Sequence, residues 1–163
     1  MPDVLFIMGV SGSGKSTIGK MLGEKMQLPF FDGDSYHPAE NIKKMSKGIP
    51  LNDKDRASWL RALNKIALDN EKNGCIIACS ALKEKYRDTL GDHMHKKPVF
   101  VFLKGSYSLI MDRLKKRKKH FMPPDLLASQ FEALQIPDNA LTIDIKNSPE
   151  QIVTEIIDSI RKL

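Results

Sequence analysis

Short apolar runs alternate along this chain with segments in which apolar residues recur at helical spacing. Three of the runs are continuous rather than alternating, and turn or charged residues bound them, which is typical of strands buried on both faces. They cover residues 4–8, 75–80 and 99–103, and weaker candidates cover residues 30–31 and 141–145. The pattern therefore predicts about five short strands.

The segments between these runs carry helical patterns. Helices are predicted over residues 15–26, 53–73, 106–116 and 124–134, and from residue 149 onward. The last helix has the clearest start, because Ser148 can cap it, Pro149 suits its first position and Gln151 completes a capping box. Strands that alternate with helices predict an α/β fold with a mainly parallel sheet.

The size and composition predict a single domain that covers residues 1–163. A chain of 163 residues, 41% of them hydrophobic, can bury a substantial core but is too short for two ordinary domains. No apolar run approaches the ~18–20 residues that a membrane span needs, so we expect no membrane partner. The two cysteines cannot form a disulfide framework, which favours a cytoplasmic location.

A phosphate-binding motif, G-x-x-x-x-G-K-[ST], occupies residues 9–16, directly after a predicted strand and before a predicted helix. Its glycines let backbone N–H groups surround phosphates at the positive end of the helix dipole. Lys15 would reach the β- and γ-phosphates, and the Ser16 hydroxyl would bind Mg²⁺. The motif predicts that the chain binds a nucleoside triphosphate. The predicted loop ligands are Gly9, Val10, Ser11, Gly12, Ser13, Gly14, Lys15, Ser16 and Thr17.

The Mg²⁺ carboxylate expected beside this loop is absent from the predicted strand 75–80, which ends in Ser80-Ala-Leu. Asp32 and Asp34 follow another predicted strand, and strand carboxyl ends face the ligand crevice of a doubly wound sheet. One carboxylate can hold Mg²⁺ directly or through water, while the other accepts a proton from an attacking hydroxyl. The alternative is that the two aspartates only form a turn.

Several further motifs are dispersed along the chain in a fixed order. They are MGVSGSGKST at 8–17, DGD at 32–34, HP at 37–38 with Asn41, PLND at 50–53, DR at 55–56, WL at 59–60, CSALK at 79–83, YRD at 86–88, LKG at 103–105, HF at 120–121, and SQF at 129–131 with Leu134. Together they resemble the gluconokinase family, of the thermoresistant type, over essentially the whole chain. These small P-loop kinases are related in fold to shikimate kinase and adenylate kinase.

The resemblance implies a reaction and an architecture. It implies that ATP phosphorylates D-gluconate at the 6-hydroxyl, giving 6-phospho-D-gluconate and ADP. It also implies the P-loop kinase fold, with about five parallel strands flanked by helices and a mobile lid near residues 113–126. Relatives in this family suggest a homodimer.

Site residues also follow from the resemblance where this chain carries the matching motif. Asp34 resembles the residue that orients and deprotonates the acceptor hydroxyl, and Asp32 resembles an outer-shell Mg²⁺ partner that acts through water. Arg56 and Arg87 are the main candidates to hold gluconate, because guanidinium groups suit a carboxylate. The weaker candidates for its hydroxyls are His37, Asn41, Lys44, Ser80 and Gln130.

Charge is concentrated in one segment, residues 113–119. The chain has 26 basic and 20 acidic residues, and this segment holds six basic residues and no acidic one, so the remainder is neutral. As a lid, it would place Arg117 to neutralise charge on the transferred phosphoryl group, with Lys116 or Lys118 assisting, and Arg113 against the adenine. The alternatives are a solvated helix end that complements the helix dipole, or an unspecific nucleic-acid contact.

Two other functions stay open beside gluconate phosphorylation. One is a different small-molecule kinase on the same fold, acting on shikimate or a nucleoside monophosphate. Shikimate kinases carry a glycine triplet where this chain has Ser80-Ala-Leu, which disfavours that alternative. The other is a nucleic-acid-associated NTPase, which the absence of helicase-like motor motifs disfavours. We therefore expect no nucleic-acid partner.

Overall fold

Strands and helices alternate through the chain. The computed structural model describes residues 3–116 and 126–163, and within these ranges it has five strands and seven α-helices. The predicted catalytic Arg117, and residues 117–125 of the predicted lid, lie outside the described residues. The strands are β1 (Val4–Met8), β2 (Phe30–Asp32), β3 (Cys75–Ala78), β4 (Val99–Lys104) and β5 (Leu141–Asp144). The helices are α1 (Lys15–Met26), α2 (Ala39–Ser46), α3 (Asp53–Asp69), α4 (Glu84–Leu90), α5 (Tyr107–Lys116), α6 (Leu127–Ala133) and α7 (Pro149–Arg161).

All five strands form one parallel sheet in the order β2-β3-β1-β4-β5. All five residues of β1 are buried, since β3 and β4 pair with its two edges and helices cover its faces. Strands β2 and β3 lie on one side of β1, and β4 and β5 lie on the other, so the strand order reverses at β1. Ligands of doubly wound sheets bind at such a switch point. The predicted α/β fold with about five parallel strands is confirmed.

The observed element bounds differ from the predicted ones by one residue at several places and by more at the ends of α3 and β3. Helix α3 ends at Asp69 rather than at residue 73, because Asn70 closes its last turn and the chain then turns towards Gly74, whose φ is +86°. Strand β3 ends at Ala78 rather than at residue 80, because Ala78 is its last residue that pairs with β1. None of the helices in the described ranges is both long enough and apolar enough to cross a membrane.

Helix α2 was not predicted, because its sequence AENIKKMS has only two large apolar side chains. Its anchoring is instead partly polar. Asn41 is 2% exposed, and its amide donates a hydrogen bond to the Asp55 carbonyl at 2.8 Å. The apolar Met45 is also buried. A buried amide with a distant backbone partner leaves no periodic signal in the sequence, so the pattern did not reveal this helix.

The turn after β2 depends on a glycine. Residues Gly33–Tyr36 form one turn of 3₁₀ helix, and Gly33 packs against the end of β3. A Cβ added at Gly33 would lie 2.2 Å from the Ala78 carbonyl oxygen and 3.2 Å from Leu63 Cδ1. Because the nearer atom belongs to a buried strand backbone, only a glycine lets the turn approach β3 so closely.

Replacement of Gly33 by alanine is expected to destabilise the fold by about 1–3 kcal/mol, the usual cost of overpacking a core. The clash forces the turn away from β3, so ATP-dependent activity should fall together with stability. Urea unfolding measures the first effect. The control is Ser35→Ala, at an exposed position of the same turn, which should change stability by no more than about 0.5 kcal/mol. Equal stability of the two variants would contradict the close-approach argument.

Candidate active site

The phosphate-binding loop leaves the carboxyl end of β1 and runs into the N-terminus of α1. Gly14 lies at the N-cap of α1 with a φ of +98°, in the left-handed region that favours glycine. The side chain of Lys15 folds back over the loop, and its Nζ donates hydrogen bonds to the carbonyls of Gly9 and Val10, both at 3.0 Å. The loop therefore places an ammonium group and the helix N-terminus around one concave backbone.

The Ser16 hydroxyl lies next to the first carboxylate after β2. Ser16 Oγ donates a hydrogen bond to Asp32 Oδ2 at 2.8 Å. The other carboxylate oxygen, Oδ1, accepts from the Asp34 N–H at 3.1 Å and so caps the 3₁₀ turn. A hydroxyl and a carboxylate are the hard oxygen donors that Mg²⁺ prefers, and Mg²⁺ commonly takes only one or two protein ligands. The two side chains therefore fit a Mg²⁺ ion.

A hydrogen bond from helix α3 holds the turn that carries Asp34. Trp59 is 2% exposed, and its indole Nε1 donates to the Gly33 carbonyl at 2.7 Å. The carboxylate of Asp34, on the next residue, lines a cleft together with Lys15. The fold thus brings the second aspartate and the phosphate loop to the same cavity.

His37 is held from two sides in the same cleft. Its ring stacks on Trp59 with the centroids 4.0 Å apart and an interplanar angle of 14°. The Asn41 amide Nδ2 lies 3.3 Å from His37 Nδ1. Because that amide nitrogen is a donor, Nδ1 accepts and the ring hydrogen of the neutral imidazole is on Nε2. Burial, and secondly the nearby Arg56 charge, lower the pKa of His37 to about 4.

Arg56 lines the cleft from α3. Its Nη1 donates to the Leu51 carbonyl at 2.9 Å and to the Tyr86 hydroxyl at 3.0 Å. The guanidinium also lies over the Tyr86 ring, 5.3 Å from the centroid. Both hydrogens of Nη1 are therefore used, while Nη2 and Nε make no hydrogen bond to any residue of the described ranges. That edge of the guanidinium can receive both oxygens of a carboxylate.

The cleft collects most of the predicted substrate and catalytic residues. Among the predicted residues, Ser11, Lys15, Asp34, His37, Arg56, Ser80 and Gln130 line it. Gln130, on α6, also contacts the phosphate loop, where its Oε1 accepts from the Ser11 N–H at 2.6 Å. The residues that the sequence did not predict in the site are Met45, Pro50, Leu51, Trp59, Leu126 and Ser129. Of these, Trp59 lies three residues from Arg56, and that helical spacing was the available signal.

Arg87 does not line this cleft, and its predicted contact with gluconate stays a prediction. It is 9% exposed, and its Nη1 and Nη2 donate to the carbonyls of Ala81 and Gln135 at 2.6 and 2.9 Å. Ala81 has a φ of +47°, which is unusual for a residue with a Cβ. The guanidinium therefore stabilises the turn after β3. Nothing in the local sequence distinguishes Arg87 from Arg56, because the difference lies in what surrounds each side chain.

Three further predicted residues bond to protein rather than line the cleft. Lys44 forms an ion pair with Asp55 at 2.9 Å, and the Asn41 amide nitrogen contacts His37 Nδ1 at 3.3 Å. Arg113 donates to the Ile145 carbonyl at 2.8 Å, which ties the end of α5 to the segment after β5. The roles of Lys44 and Asn41 are thus in holding the α2 region against α3, and the contact of Arg113 with adenine stays a prediction.

Comparisons with known proteins identify the family and the fold of this chain. The model of the shikimate kinase family matches residues 11–161. The probable gluconokinase of Mus musculus is 41% identical, over 98% of this chain and 98% of that protein. The thermoresistant gluconokinase of Escherichia coli strain K12 is 42% identical, over 98% of this chain and 94% of that protein. The crystal structure of a gluconokinase from Sinorhizobium meliloti 1021 superimposes with a TM-score of 0.90 at 41% identity, over 99% and 93% of the two chains.

Stability should depend on pH through His37. The folded pKa of about 4 lies below the value of ~6.5 for an unfolded histidine, so between pH 6.5 and 4 the unfolded chain takes up a proton that the native site resists. Wild type should therefore lose stability over that window relative to His37→Phe, which keeps a ring on Trp59, and the difference should be constant above pH 7. Urea unfolding at pH 7.5, 6 and 5 measures it.

The control for this experiment is Ser35→Ala, which changes a non-ionisable side chain at an exposed position near His37. This variant should keep the wild-type slope of stability against pH. Parallel slopes for wild type and His37→Phe would contradict a lowered pKa at His37.

Proposed function

This chain belongs to the shikimate kinase family by its family model and to the gluconokinases by its full-length relatives, and we propose that it transfers the γ-phosphoryl group of ATP to the 6-hydroxyl of D-gluconate. The products are 6-phospho-D-gluconate and ADP. The observation that carries the proposal is the position of Arg56 in the same cleft as Lys15 and Asp34. The cleft thus contains the Arg56 guanidinium, which can bind a carboxylate of the acceptor, and the Asp34 carboxylate, which can accept a proton from a hydroxyl of the acceptor.

The nucleotide end of the site is the loop between β1 and α1. Its backbone N–H groups and the α1 N-terminus suit the β- and γ-phosphates of ATP, and Lys15 supplies positive charge beside them. Ser16 and Asp32 would hold Mg²⁺, the serine directly and the aspartate through water. When bound, Mg²⁺ supplies positive charge that neutralises the phosphate oxygens.

The acceptor end of the site contains Asp34 and Arg56. Asp34 accepts the proton of the 6-hydroxyl while that oxygen forms a bond to the γ-phosphorus and the bond from phosphorus to the β–γ bridging oxygen breaks, which releases ADP. Arg56 binds the carboxylate at the other end of the acceptor with Nη2 and Nε. The Nε2–H of His37, with Ser80 and Gln130, is available for the hydroxyls between the two ends.

Several expectations from the sequence accompany this proposal. Arg117 as a transition-state cation, the lid near residues 113–126 and the homodimer stay predictions, as does the absence of nucleic-acid and membrane partners. A cytoplasmic location also stays a prediction, and it is consistent with two free, buried thiols, Cys75 and Cys79, whose pKa burial raises to about 12.

An ADP-release assay across several acceptors tests the substrate. We expect turnover with D-gluconate to exceed that with shikimate, other aldonic and sugar acids, and nucleoside monophosphates, because the cleft pairs a carboxylate-binding arginine with a hydroxyl-facing aspartate. Shikimate is the principal competitor, since the family model bears its name. Faster turnover with shikimate, or none with gluconate, would overturn the proposal.

Replacement of Asp34 by asparagine should lower kcat by about 10²–10⁴-fold, the usual contribution of a positioned general base. The KM for ATP should change little, because the phosphate loop is untouched. Steady-state kinetics with gluconate as acceptor measure both constants. The matched control is Asp138→Asn, a carboxylate outside the cleft, which should keep wild-type kinetics. Preserved turnover in Asp34→Asn would exclude Asp34 as the base.

A further inference from the structure

We infer that Tyr86, held by Asp53, is a positioning residue that sets Arg56 as the fork for the acceptor's carboxylate. The inference rests on the proposed function, because it concerns how that acceptor is recognised. Tyr86 lies on α4 and is 3% exposed, whereas Arg56 lies on α3 and reaches the cleft. The two side chains meet where these helices pack.

The hydroxyl of Tyr86 acts as both acceptor and donor. An arginine cannot accept a hydrogen bond, so the 3.0 Å contact has Arg56 Nη1 donating to the tyrosine oxygen. The tyrosine hydrogen then goes to Asp53 Oδ1. Burial and this carboxylate raise the pKa of Tyr86, so the hydroxyl keeps its hydrogen at neutral pH. The orientation of the tyrosine oxygen, and of the guanidinium it faces, is therefore determined by Asp53.

The charge of Asp53 is compensated from outside the cleft. Lys83 Nζ lies 3.2 Å from Oδ1, and Lys85 Nζ contacts Oδ2. Hydrogen bonds from Lys85 and then Tyr86 lower the pKa of Asp53, so the carboxylate stays ionised. Because two lysines face this aspartate, it does not neutralise Arg56, and the cluster keeps a net positive charge for an anionic acceptor.

The same contacts select which edge of Arg56 faces the cleft. Nη1 donates hydrogen bonds to the Tyr86 hydroxyl and the Leu51 carbonyl, and the guanidinium carbon lies over the Tyr86 ring, 5.3 Å from its centroid. The remaining edge, Nη2 and Nε, is the one whose parallel donors match a carboxylate. Loss of the tyrosine hydroxyl would leave the Leu51 carbonyl as the one hydrogen-bond partner of Nη1 among the described residues, so the guanidinium would be held less firmly in its direction.

The test is Tyr86→Phe, which removes one oxygen but keeps the buried ring. We expect the KM for gluconate to rise about tenfold, in line with the strength of a hydrogen bond to a charged group. The kcat and the KM for ATP should stay within about twofold, since neither the phosphate loop nor Asp34 is touched. The control is Tyr107→Phe, which removes the hydroxyl of a half-exposed tyrosine on α5 and should change none of the three constants.

A double variant separates positioning from general damage. In an Arg56→Lys background there is no planar fork to orient, so adding Tyr86→Phe should change the KM for gluconate by less than twofold. If the tenfold rise persists there, or if Tyr86→Phe in the wild-type background lowers kcat while leaving this KM unchanged, Tyr86 does not act through Arg56 and the inference is overturned.

A second single variant covers the case in which Tyr86→Phe does not fold. Asp53→Asn leaves the tyrosine ring in place and should raise the KM for gluconate about threefold with kcat retained, because an amide holds the hydroxyl less strongly than a carboxylate. An unchanged KM would overturn the inference. Failure of the proposed function itself is recognised separately, as absence of gluconate turnover by the wild-type protein.

Discussion

The complete burial of β1 is the constraint on which the rest of this structure depends. Strand β1 lies between β3 and β4 with no exposed residue, so its pairing register is specified on both edges and both faces. The chain then leaves the sheet at the carboxyl end of β1, and the glycines after Met8 let it turn there into α1. Because β2 and β3 run parallel to β1, the segments that follow them leave the sheet on the same side. One hydrophobic requirement thus brings the phosphate loop, Asp32 and Ser80 together.

The acceptor side of the cleft is built on different physics. Its residues come from the turn after β2 and from α2 and α3, and hydrogen bonds to buried groups hold them in place. Trp59 binds the backbone of the Asp34 turn through its indole and supports His37 with its ring face. Asn41 joins the same histidine to the backbone of α3. A buried polar group that lost its partner would be costly, so these contacts define one arrangement of the site.

The basic residues outside residues 113–119 have several separate uses. Lys15 serves the phosphate loop, Arg56 serves the cleft, and Arg87 is enclosed by backbone carbonyls that it stabilises. Lys83 and Lys85 hold Asp53 ionised behind Arg56. In this region two lysines match Asp53 and Lys44 matches Asp55, which leaves the charge of Arg56 available to an anionic ligand. A net charge of +6 describes none of these roles.

The sequence by itself determined β1, the phosphate loop and the limits of α1, because each depends on neighbouring residues: a continuous apolar run, glycines at fixed spacing and a helical pattern. It also determined the capping box of α7, which the structure contains as predicted. The dispersed motifs placed Asp34, His37 and Arg56 in one site, and the cleft contains all three. Only the tertiary structure decided that Arg87 stabilises a turn, that α2 forms around the buried Asn41, and that Trp59 and Tyr86 support the site. The physical reason is that hydrogen bonds and burial between residues distant in the chain carry no local periodicity, so two arginines that look alike in sequence acquire different roles from what surrounds them.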